Sequence, residues 1–148
     1  MRINHGDYEI DDDPTRVDRD VVFAFLSTEA YWSTWRSRKD VDAQLDCAWR
    51  LVGAYERATG AMVGFARAVS DGVSIAYLAD VFVLAPARGH GLGVALVDAM
   101  IEQGSGRDFR WLLHTRDAHD LYRRFGFAPP TERYLERPEH WPAVSREG

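Results

Sequence analysis

The amino-acid sequence predicts an α+β fold with one mixed β-sheet. Apolar residues near the N-terminus recur at helical spacing, the middle of the chain has the period of β-strands, and helical spacing returns after Gly89. The predicted order is helices, an antiparallel meander, a helix, a strand, a helix and a strand. We expect one domain over residues 1–148, which is an ordinary size for a single domain.

The first predicted strand is Tyr8–Ile10, and the first helix is predicted to begin at Asp13, with Pro14 in its first turn. A second short helix is predicted after Asp40. Both helices have an apolar face at helical spacing. The apolar positions are Val17, Val21, Val22, Phe25 and Leu26 in the first helix, and Val41, Leu45 and Ala48 in the second.

Three runs predict the antiparallel meander: Trp49–Tyr55, Met62–Val69 and Val73–Leu84. Gly60 lies in the first connection, and Asp71-Gly72 in the second is a strong hairpin signal.

The remaining elements alternate between helix and strand. They are a helix from Gly89 to about Gln103, a strand Phe109–His114, a short helix Ala118–Phe125 and a last strand Arg133–Arg137.

Composition and charge exclude several classes of protein. Eighteen Lys and Arg against 23 Asp and Glu give a formal charge of −5, so the basic footprint of a nucleic-acid binder is missing. No apolar run is long enough for a membrane helix, and the N-terminus has no apolar stretch of a signal peptide. The single cysteine, Cys47, permits neither an internal disulfide nor a cysteine-based metal site. We therefore expect a cytoplasmic protein without a metal.

The segment Asp80–Gly93 predicts an anion site, because an apolar strand leads through a glycine-rich turn into an amphipathic helix. The start of a helix presents unpaired backbone N–H groups and a partial positive charge, and Arg88 adds a full charge. A P-loop requires Gly-Lys-Ser/Thr after the glycines, and the sequence has Val94 after Gly93. The third glycine of a dinucleotide fingerprint is also missing. The remaining pattern is Arg-x-x-Gly-x-Gly.

This pattern resembles the pyrophosphate-binding turn of the GNAT superfamily of N-acetyltransferases. A second segment, Ala118–Phe127, is similar to the family pattern Ala-x-x-Leu-Tyr-x-x-x-Gly-Phe. The resemblance extends over roughly residues 8 to 137. It implies a mixed, mostly antiparallel sheet of about six or seven strands with about four helices. It also implies that two neighbouring parallel strands splay apart to form a cleft for acetyl-CoA.

The resemblance places the cofactor contacts on three parts of the chain. Backbone groups of the strand before the turn hold the acetyl and pantetheine parts, the turn holds the pyrophosphate, and Thr115 replaces the usual asparagine and can contact pantetheine through its hydroxyl. The predicted cofactor-binding residues are Val81, Phe82, Val83, Arg88, Gly89, His90, Gly91, Leu92, Gly93, Thr115 and Tyr122.

Three residues are candidates for proton transfer. The resemblance implies that Tyr122 is the general acid, since a phenol can donate a proton to a departing thiolate; packing or cofactor contact is the alternative. Asp80 is the first choice for the general base because a carboxylate in an apolar strand must be paired or functional. His114 is the second choice because histidine titrates near neutrality. Both residues have a structural alternative, and a chain of water molecules is another route for the proton.

The segment between the first two helices predicts the acceptor pocket, as the resemblance implies. Glu29, Tyr31, Trp32 and Trp35 are the candidate residues, with packing under the loop as the alternative for the rings. Aromatic rings can bind an amine by stacking or by a cation–π contact. Arg36, Arg38 and Lys39 form a cationic group that could attract an acidic substrate or could simply be solvated.

These features together predict an acetyl-CoA-dependent N-acetyltransferase. The acceptor is expected to be the primary amine of a small molecule, which attacks the thioester directly. The alternatives are a protein N-terminal or lysine acetyltransferase and an acyl-CoA-binding module without turnover. No metal, nucleic acid or membrane partner is expected, and a homodimer is possible because dimers are the commonest oligomers.

Overall fold

The computed structural model describes residues 1–30 and 35–139. Contacts divide the chain into two compact units, residues 1–115 and residues from 116 onward. Among the described residues, the first unit contains six strands and three α-helices, and the second contains one short α-helix.

A six-stranded sheet with strand order β1-β2-β3-β4-β5-β6 forms the centre of the first unit. Neighbouring strands are antiparallel except β5 and β6, which are parallel. This confirms the predicted mixed sheet and its central meander. The strands are β1 (Arg2–His5), β2 (Tyr8–Asp11), β3 (Arg50–Glu56), β4 (Met62–Ser70), β5 (Ile75–Val83) and β6 (Arg110–Leu112).

The α-helices are α1 (Arg19–Thr28), α2 (Arg38–Asp46) and α3 (Leu92–Ile101) in the first unit, and α4 (His119–Arg123) in the second. Polar side chains fix the starts of the first two. Asp18 accepts hydrogen bonds from the amides of Asp20 and Val21, and Ser37 forms a reciprocal capping box with Asp40. Such caps each stabilise a helix by about 1 kcal/mol, because they satisfy amides that have no partner in the helix. Pro14 lies in a separate 3₁₀ turn (Pro14–Arg16), so α1 begins later than the predicted Asp13.

The two faces of the sheet are covered by different helices. Leu51, Tyr55 and Phe65 lie in one hydrophobic cluster with residues of α1 and α2. Within that cluster Phe25 stacks on Phe82 with ring centroids 4.1 Å apart. On the opposite face, Gly64 and its neighbour Ala54 lie beneath Leu96 of α3. The strand β5 is therefore covered by helices on both faces of the sheet, and its two ends lead into the hairpin and into α3.

The Asp71-Gly72 hairpin forms as predicted between β4 and β5. The Asp71 carboxylate accepts hydrogen bonds from the amides of Val73, Ser74 and Ile75, at 2.9, 2.9 and 3.2 Å. These bonds hold the pKa of Asp71 far below its usual value. The charged side chain therefore organises the turn that the sequence motif indicates.

One predicted strand does not form, and one strand that forms was not predicted. Arg133–Arg137 is not a strand, because Leu135 is 96% exposed and Tyr134 donates its amide to Thr131 in a turn. A strand without an apolar face to bury gains too little to form. The additional strand β1 was not predicted; it pairs with β2 through the turn at Gly6-Asp7. The prediction of a single domain over residues 1–148 stays a prediction.

Candidate active site

The short strand β6 pairs along its whole length with the beginning of the longer strand β5. Ile75–Tyr77 pairs with Arg110–Leu112. Beyond Tyr77, β5 continues to Val83 without a strand partner on this side, as far as the described residues show. An unpaired strand edge presents backbone N–H and C=O groups to a ligand. This open edge of β5 includes Val81, Phe82 and Val83, which the sequence predicts to border the opening between two parallel strands.

A β-bulge bends β5 at the beginning of this open edge. The register with β4 shifts between the pairs Phe65–Phe82 and Arg67–Ala79. Asp80 lies at the shift with a φ of +55°, in the left-handed region that few residues other than glycine adopt. Strained backbone of this kind concentrates at functional sites. The bulge marks the middle of β5 as the centre of the candidate site.

The turn between β5 and α3 has the geometry of an anion site. Gly89 and Gly91 have φ values of +85° and +73°, which glycine adopts without the steric cost of a side chain. Gly91 is the N-cap of α3 and forms no side-chain cap, and the first helical bond runs from the Ala95 amide to the Gly91 carbonyl at 3.1 Å. The amides of Leu92 and Gly93 precede that bond, so they are available to a ligand.

The surroundings of this turn are open to a ligand. A Cβ atom placed on Gly93 would meet no heavy atom within 4 Å. The exposed Arg88 donates its Nε to the Val83 carbonyl at 3.1 Å, which holds its guanidinium beside the end of β5. Arg88, Gly89, His90 and Gly91 are thus exposed at the start of α3, whereas the Leu92 side chain is buried in the core and contributes its backbone amide.

Two residues of the N-terminal hairpin support the turn, and sequence reasoning missed both. His5 Nε2 lies 2.7 Å from the His90 carbonyl oxygen, and the Tyr8 ring lies 5.3 Å from the His90 ring. These contacts hold the backbone and the ring of His90, which lies between the two glycines of the turn. The strand β1, which carries His5, has no motif that would have linked it to the turn.

Asp80 forms a buried ion pair, which is the structural alternative to its predicted role as the general base. Its two oxygens accept bidentate hydrogen bonds from the Arg36 guanidinium at 2.9 and 2.7 Å, and Arg67 Nε donates to Oδ2 at 2.9 Å. Burial by itself raises the pKa of this carboxyl, but the hydrogen bonds and charges of Arg36 and Arg67 outweigh burial and lower it. A carboxylate with a lowered pKa is a weaker base.

His114 lies just beyond β6, and Tyr77 of β5 is its hydrogen-bond partner. The Tyr77 hydroxyl and His114 Nδ1 are within hydrogen-bond distance, and the two rings lie 5.7 Å apart. Tyr77 belongs to the last pair between β5 and β6, opposite Leu112. The histidine ring is therefore held at the mouth of the opening between the strands. Thr115 follows it directly in the chain.

The residues predicted for the acceptor pocket are only partly described. Tyr31 and Trp32 lie outside the described residues. Glu29 caps the end of α1 and is exposed, whereas Trp35 is half-buried, with the Arg36 guanidinium carbon 6.0 Å from its ring.

The predicted cationic group is divided by the fold. Arg36 turns inward to Asp80, while Arg38 pairs with Asp20 and Asp42 at the surface. Sequence reasoning missed Arg67, although an arginine within the apolar run Met62–Val69 is the same kind of signal that identified Asp80.

In the second unit, Tyr122 lies in α4. Its ring meets that of Phe127 edge-on at 5.7 Å, and the Phe127 amide donates to the Tyr122 carbonyl. Among the described residues no group of three or more His, Cys, Asp or Glu could hold a metal ion. None of the described helices is long and apolar enough to cross a membrane.

Comparisons with known proteins identify the family. A sequence model of the acetyltransferase (GNAT) family matches residues 22–127. The crystal structure of "a putative acetyltransferase belonging to the gnat family" from Xanthomonas campestris pv. campestris is 33% identical, with a TM-score of 0.75, over 90% of this chain and 95% of that one. The chain therefore belongs to the acetyltransferase (GNAT) family, as its sequence motifs indicate.

Two more distant proteins are also similar to this chain, one in sequence and one in fold. A "Putative acetyltransferase" of Gibberella zeae is 28% identical over 137 residues, which are 79% of this chain and 76% of that protein. A "predicted acetyltransferase with acetyl-CoA" from Clostridium acetobutylicum has the same fold, with 15% identity and a TM-score of 0.60 over 88% of this chain and 94% of that one.

Proposed function

We propose that this protein is an acetyl-CoA-dependent N-acetyltransferase whose acceptor is the primary amine of a small molecule. The observation that carries the proposal is the glycine turn at the start of α3, which lies at the end of the open edge of β5. The turn offers backbone amides to a diphosphate, and the strand edge offers further backbone groups to an amide-containing chain. One continuous surface thus suits both parts of coenzyme A.

The residues present fit acetyl-CoA at this surface. Gly91 caps α3 without a side chain, Gly93 leaves open space above the helix start, and Arg88 is held beside it by the Val83 carbonyl. When bound, acetyl-CoA supplies an acetyl group already activated as a thioester. We propose that the amides at the start of α3 and Arg88 bind the pyrophosphate, and that backbone groups of Val81–Val83 orient the acetyl end.

We propose that His114 accepts the proton of the attacking amine. Tyr77 fixes the ring through Nδ1, and in the tautomer whose Nδ1–H donates to the Tyr77 oxygen the lone pair is on Nε2. Asp80 was the first choice from the sequence, but its two arginine partners lower its pKa and make it the weaker base. Asp80 and a chain of water molecules remain the alternatives.

Tyr122 is proposed as the general acid that gives its proton to the leaving sulfur. A phenol, with a reference pKa of about 10, is protonated at neutral pH and can supply that proton. The assignment rests on the family pattern around Leu121-Tyr122, and it is open to a direct test because phenylalanine removes only the hydroxyl.

The first experiment separates ligand classes. Thermal unfolding is measured with CoA, acetyl-CoA, NAD and ATP, since a ligand that binds the native state raises Tm. We expect stabilisation by CoA and acetyl-CoA alone. Thiol release from acetyl-CoA is then followed with small amines and with lysine-containing peptides. Stabilisation without thiol release for any acceptor would favour a binding module, and release with peptides alone would favour a protein acetyltransferase.

Two variants then test the proton-transfer residues. Tyr122→Phe and His114→Gln should each lower kcat by about a hundredfold, which is typical of a lost general acid or base, with little change in CoA affinity. Tyr134→Phe is the matched control, because Tyr134 is 40% exposed in the second unit. If Tyr122→Phe keeps full turnover, the general-acid assignment is wrong, and the same outcome for His114→Gln returns the base to Asp80 or water.

A further inference from the structure

Arg67 is an arginine on an interior strand that uses few of its hydrogen-bond donors. It lies on β4, between β3 and β5, and its side chain is 10% exposed. Its Nε donates to Asp80, but its two terminal nitrogens, Nη1 and Nη2, have no hydrogen-bond acceptor in the part of the chain that the structure describes. A guanidinium has five N–H donors in a planar fork, and leaving them unpaired away from water is costly.

The terminal nitrogens of Arg67 are accessible. Across the described residues, the Tyr55 hydroxyl is the buried side-chain polar atom that has no partner. The terminal nitrogens of Arg67 also lack a hydrogen-bond partner, but they are not among the fully buried atoms of this kind. They therefore belong to the small exposed part of this side chain. The fork therefore opens toward solvent or a ligand.

Asp80 cannot occupy this fork as well. Arg36 takes both carboxylate oxygens in the bidentate position, which confines Arg67 to a single bond through Nε. The three side chains together have one negative and two positive charges, a formal +1, although the whole chain has a formal charge of −5. A desolvated positive charge is stabilised when a second anion completes its pairing.

The register places the buried Arg67 next to an exposed part of the same sheet face. Arg67 pairs with the small, half-buried Ala79, and the next pair on the same face is Val69–Tyr77, in which Val69 is 46% exposed. Successive pairs on one face lie about 7 Å apart along a strand. Tyr77 holds His114, the proposed base. The free end of Arg67 and the proposed proton acceptor therefore belong to neighbouring positions of one surface.

We propose that Arg67 binds a carboxylate of the acceptor through its two terminal nitrogens, so that the substrates are amines with a carboxylate group. This proposal rests on the proposed function. The planar fork matches a carboxylate bidentately, and the single excess charge of the cluster matches a monoanion. An acceptor bound in this way is anchored on one side of the β5 bulge and directs its amine along the face toward His114.

The test begins with wild-type protein and matched pairs of acceptors. Each pair is an amino acid and the amine that lacks its carboxylate, with an aminoalkyl phosphate as a third arm. We expect kcat/KM for the carboxylate-containing member to be about tenfold higher or more, the range for a charge-assisted hydrogen bond. This comparison requires no mutation, so it holds whether or not a variant folds.

The variant Arg67→Gln should remove that preference. Its kcat/KM should fall about tenfold or more for the amino acids and should change little for amines without a carboxylate. Arg67→Lys, which keeps the charge but not the fork, should restore part of the preference. Arg107→Gln is the control, since Arg107 is 70% exposed and pairs with Glu102. Asp80 keeps its bidentate partner Arg36 in all three variants.

The outcomes separate this proposal from the proposed function. Thiol release with no amine of any kind would contradict the N-acetyltransferase itself, and the substrate proposal with it. Amine acetylation without a carboxylate preference, a preference for the phosphate arm, or a preference that survives Arg67→Gln would overturn the role of Arg67 alone. Loss of the preference in Arg67→Gln with retained turnover on simple amines would support it.

Discussion

Two polar regions lie along β5, and they are built in opposite ways. The region at the end of the strand is the turn from Arg88 to Gly93, which is largely exposed apart from the buried Leu92 and consists mainly of backbone. The region in the middle is the buried cluster of Arg36, Arg67 and Asp80, which consists of side chains from three parts of the chain. The first is complete within one short segment, whereas the second exists only after the sheet and the start of α2 have come together.

The difference teaches which changes each region tolerates. Backbone amides at a helix start remain in place whatever the side chains nearby, so the turn can lose ligand affinity while the fold stays stable. A buried ion cluster has no such independence, because removing one charge leaves its partners desolvated. Stability should therefore respond strongly to changes in the cluster, and binding should respond to changes in the turn.

The largest effect is expected from Asp80→Asn. The substitution leaves Arg36 and Arg67 buried without their shared carboxylate, which should lower the free energy of unfolding by about 3–5 kcal/mol. Urea denaturation at pH 7 measures it. The control is Asp46→Asn, because Asp46 is 65% exposed in its pair with Arg19 and should cost about 1 kcal/mol or less. Equal losses in the two variants would remove the distinction between the cluster and an ordinary surface pair.

The stability of the cluster should also depend on pH in acid. The pKa of Asp80 is lowered in the folded protein, where Arg36 and Arg67 outweigh the effect of burial. A carboxyl with a lowered folded pKa contributes stability above its unfolded value of about 4, and this contribution disappears as the pH falls through the folded value. The difference in unfolding free energy between wild type and Asp80→Asn should therefore narrow below about pH 4. A constant difference from pH 7 to pH 2.5 would contradict the assignment.

A smaller effect is expected from Gly93→Ala in the turn. Gly93 does not require a positive φ, and an added Cβ meets no protein atom within 4 Å. Alanine in the first turn of α3 should leave the unfolding free energy unchanged or raise it by up to about 1 kcal/mol. The methyl group would occupy the space in which a pyrophosphate approaches the amides, so KM for acetyl-CoA should rise about tenfold, equivalent to about 1.4 kcal/mol.

The matched control for Gly93→Ala is Gly60→Ala, in the β3–β4 turn. Gly60 has a φ of +76°, so alanine there should cost about 1 kcal/mol of stability and leave KM for acetyl-CoA unchanged. The two variants should thus move stability and KM independently. A Gly93→Ala protein with unchanged KM would show that this part of the turn does not face the cofactor.

Much of the fold could be predicted because its signals are local. The hairpin at Asp71-Gly72 is stabilised by the Asp71 carboxylate, which bonds to amides only two to four residues further along the chain. The predicted bounds of the meander strands and of the helix after Gly91 agree with the structure to within a few residues. Arg133–Arg137 was predicted as a strand, but Leu135 is 96% exposed and these residues do not form a strand. A β-pattern specifies a strand only when tertiary contacts bury one of its faces.

The sequence by itself determined the family, the glycine turn and the start of α3, because those depend on φ angles and backbone amides within one segment. Only the tertiary structure decided the role of Asp80, whose carboxylate is held by residues 44 and 13 positions away. It also joined His114 to Tyr77 and left the fork of Arg67 open beside them. Side-chain pairing across strands depends on register, and register is set by the packing of the whole sheet.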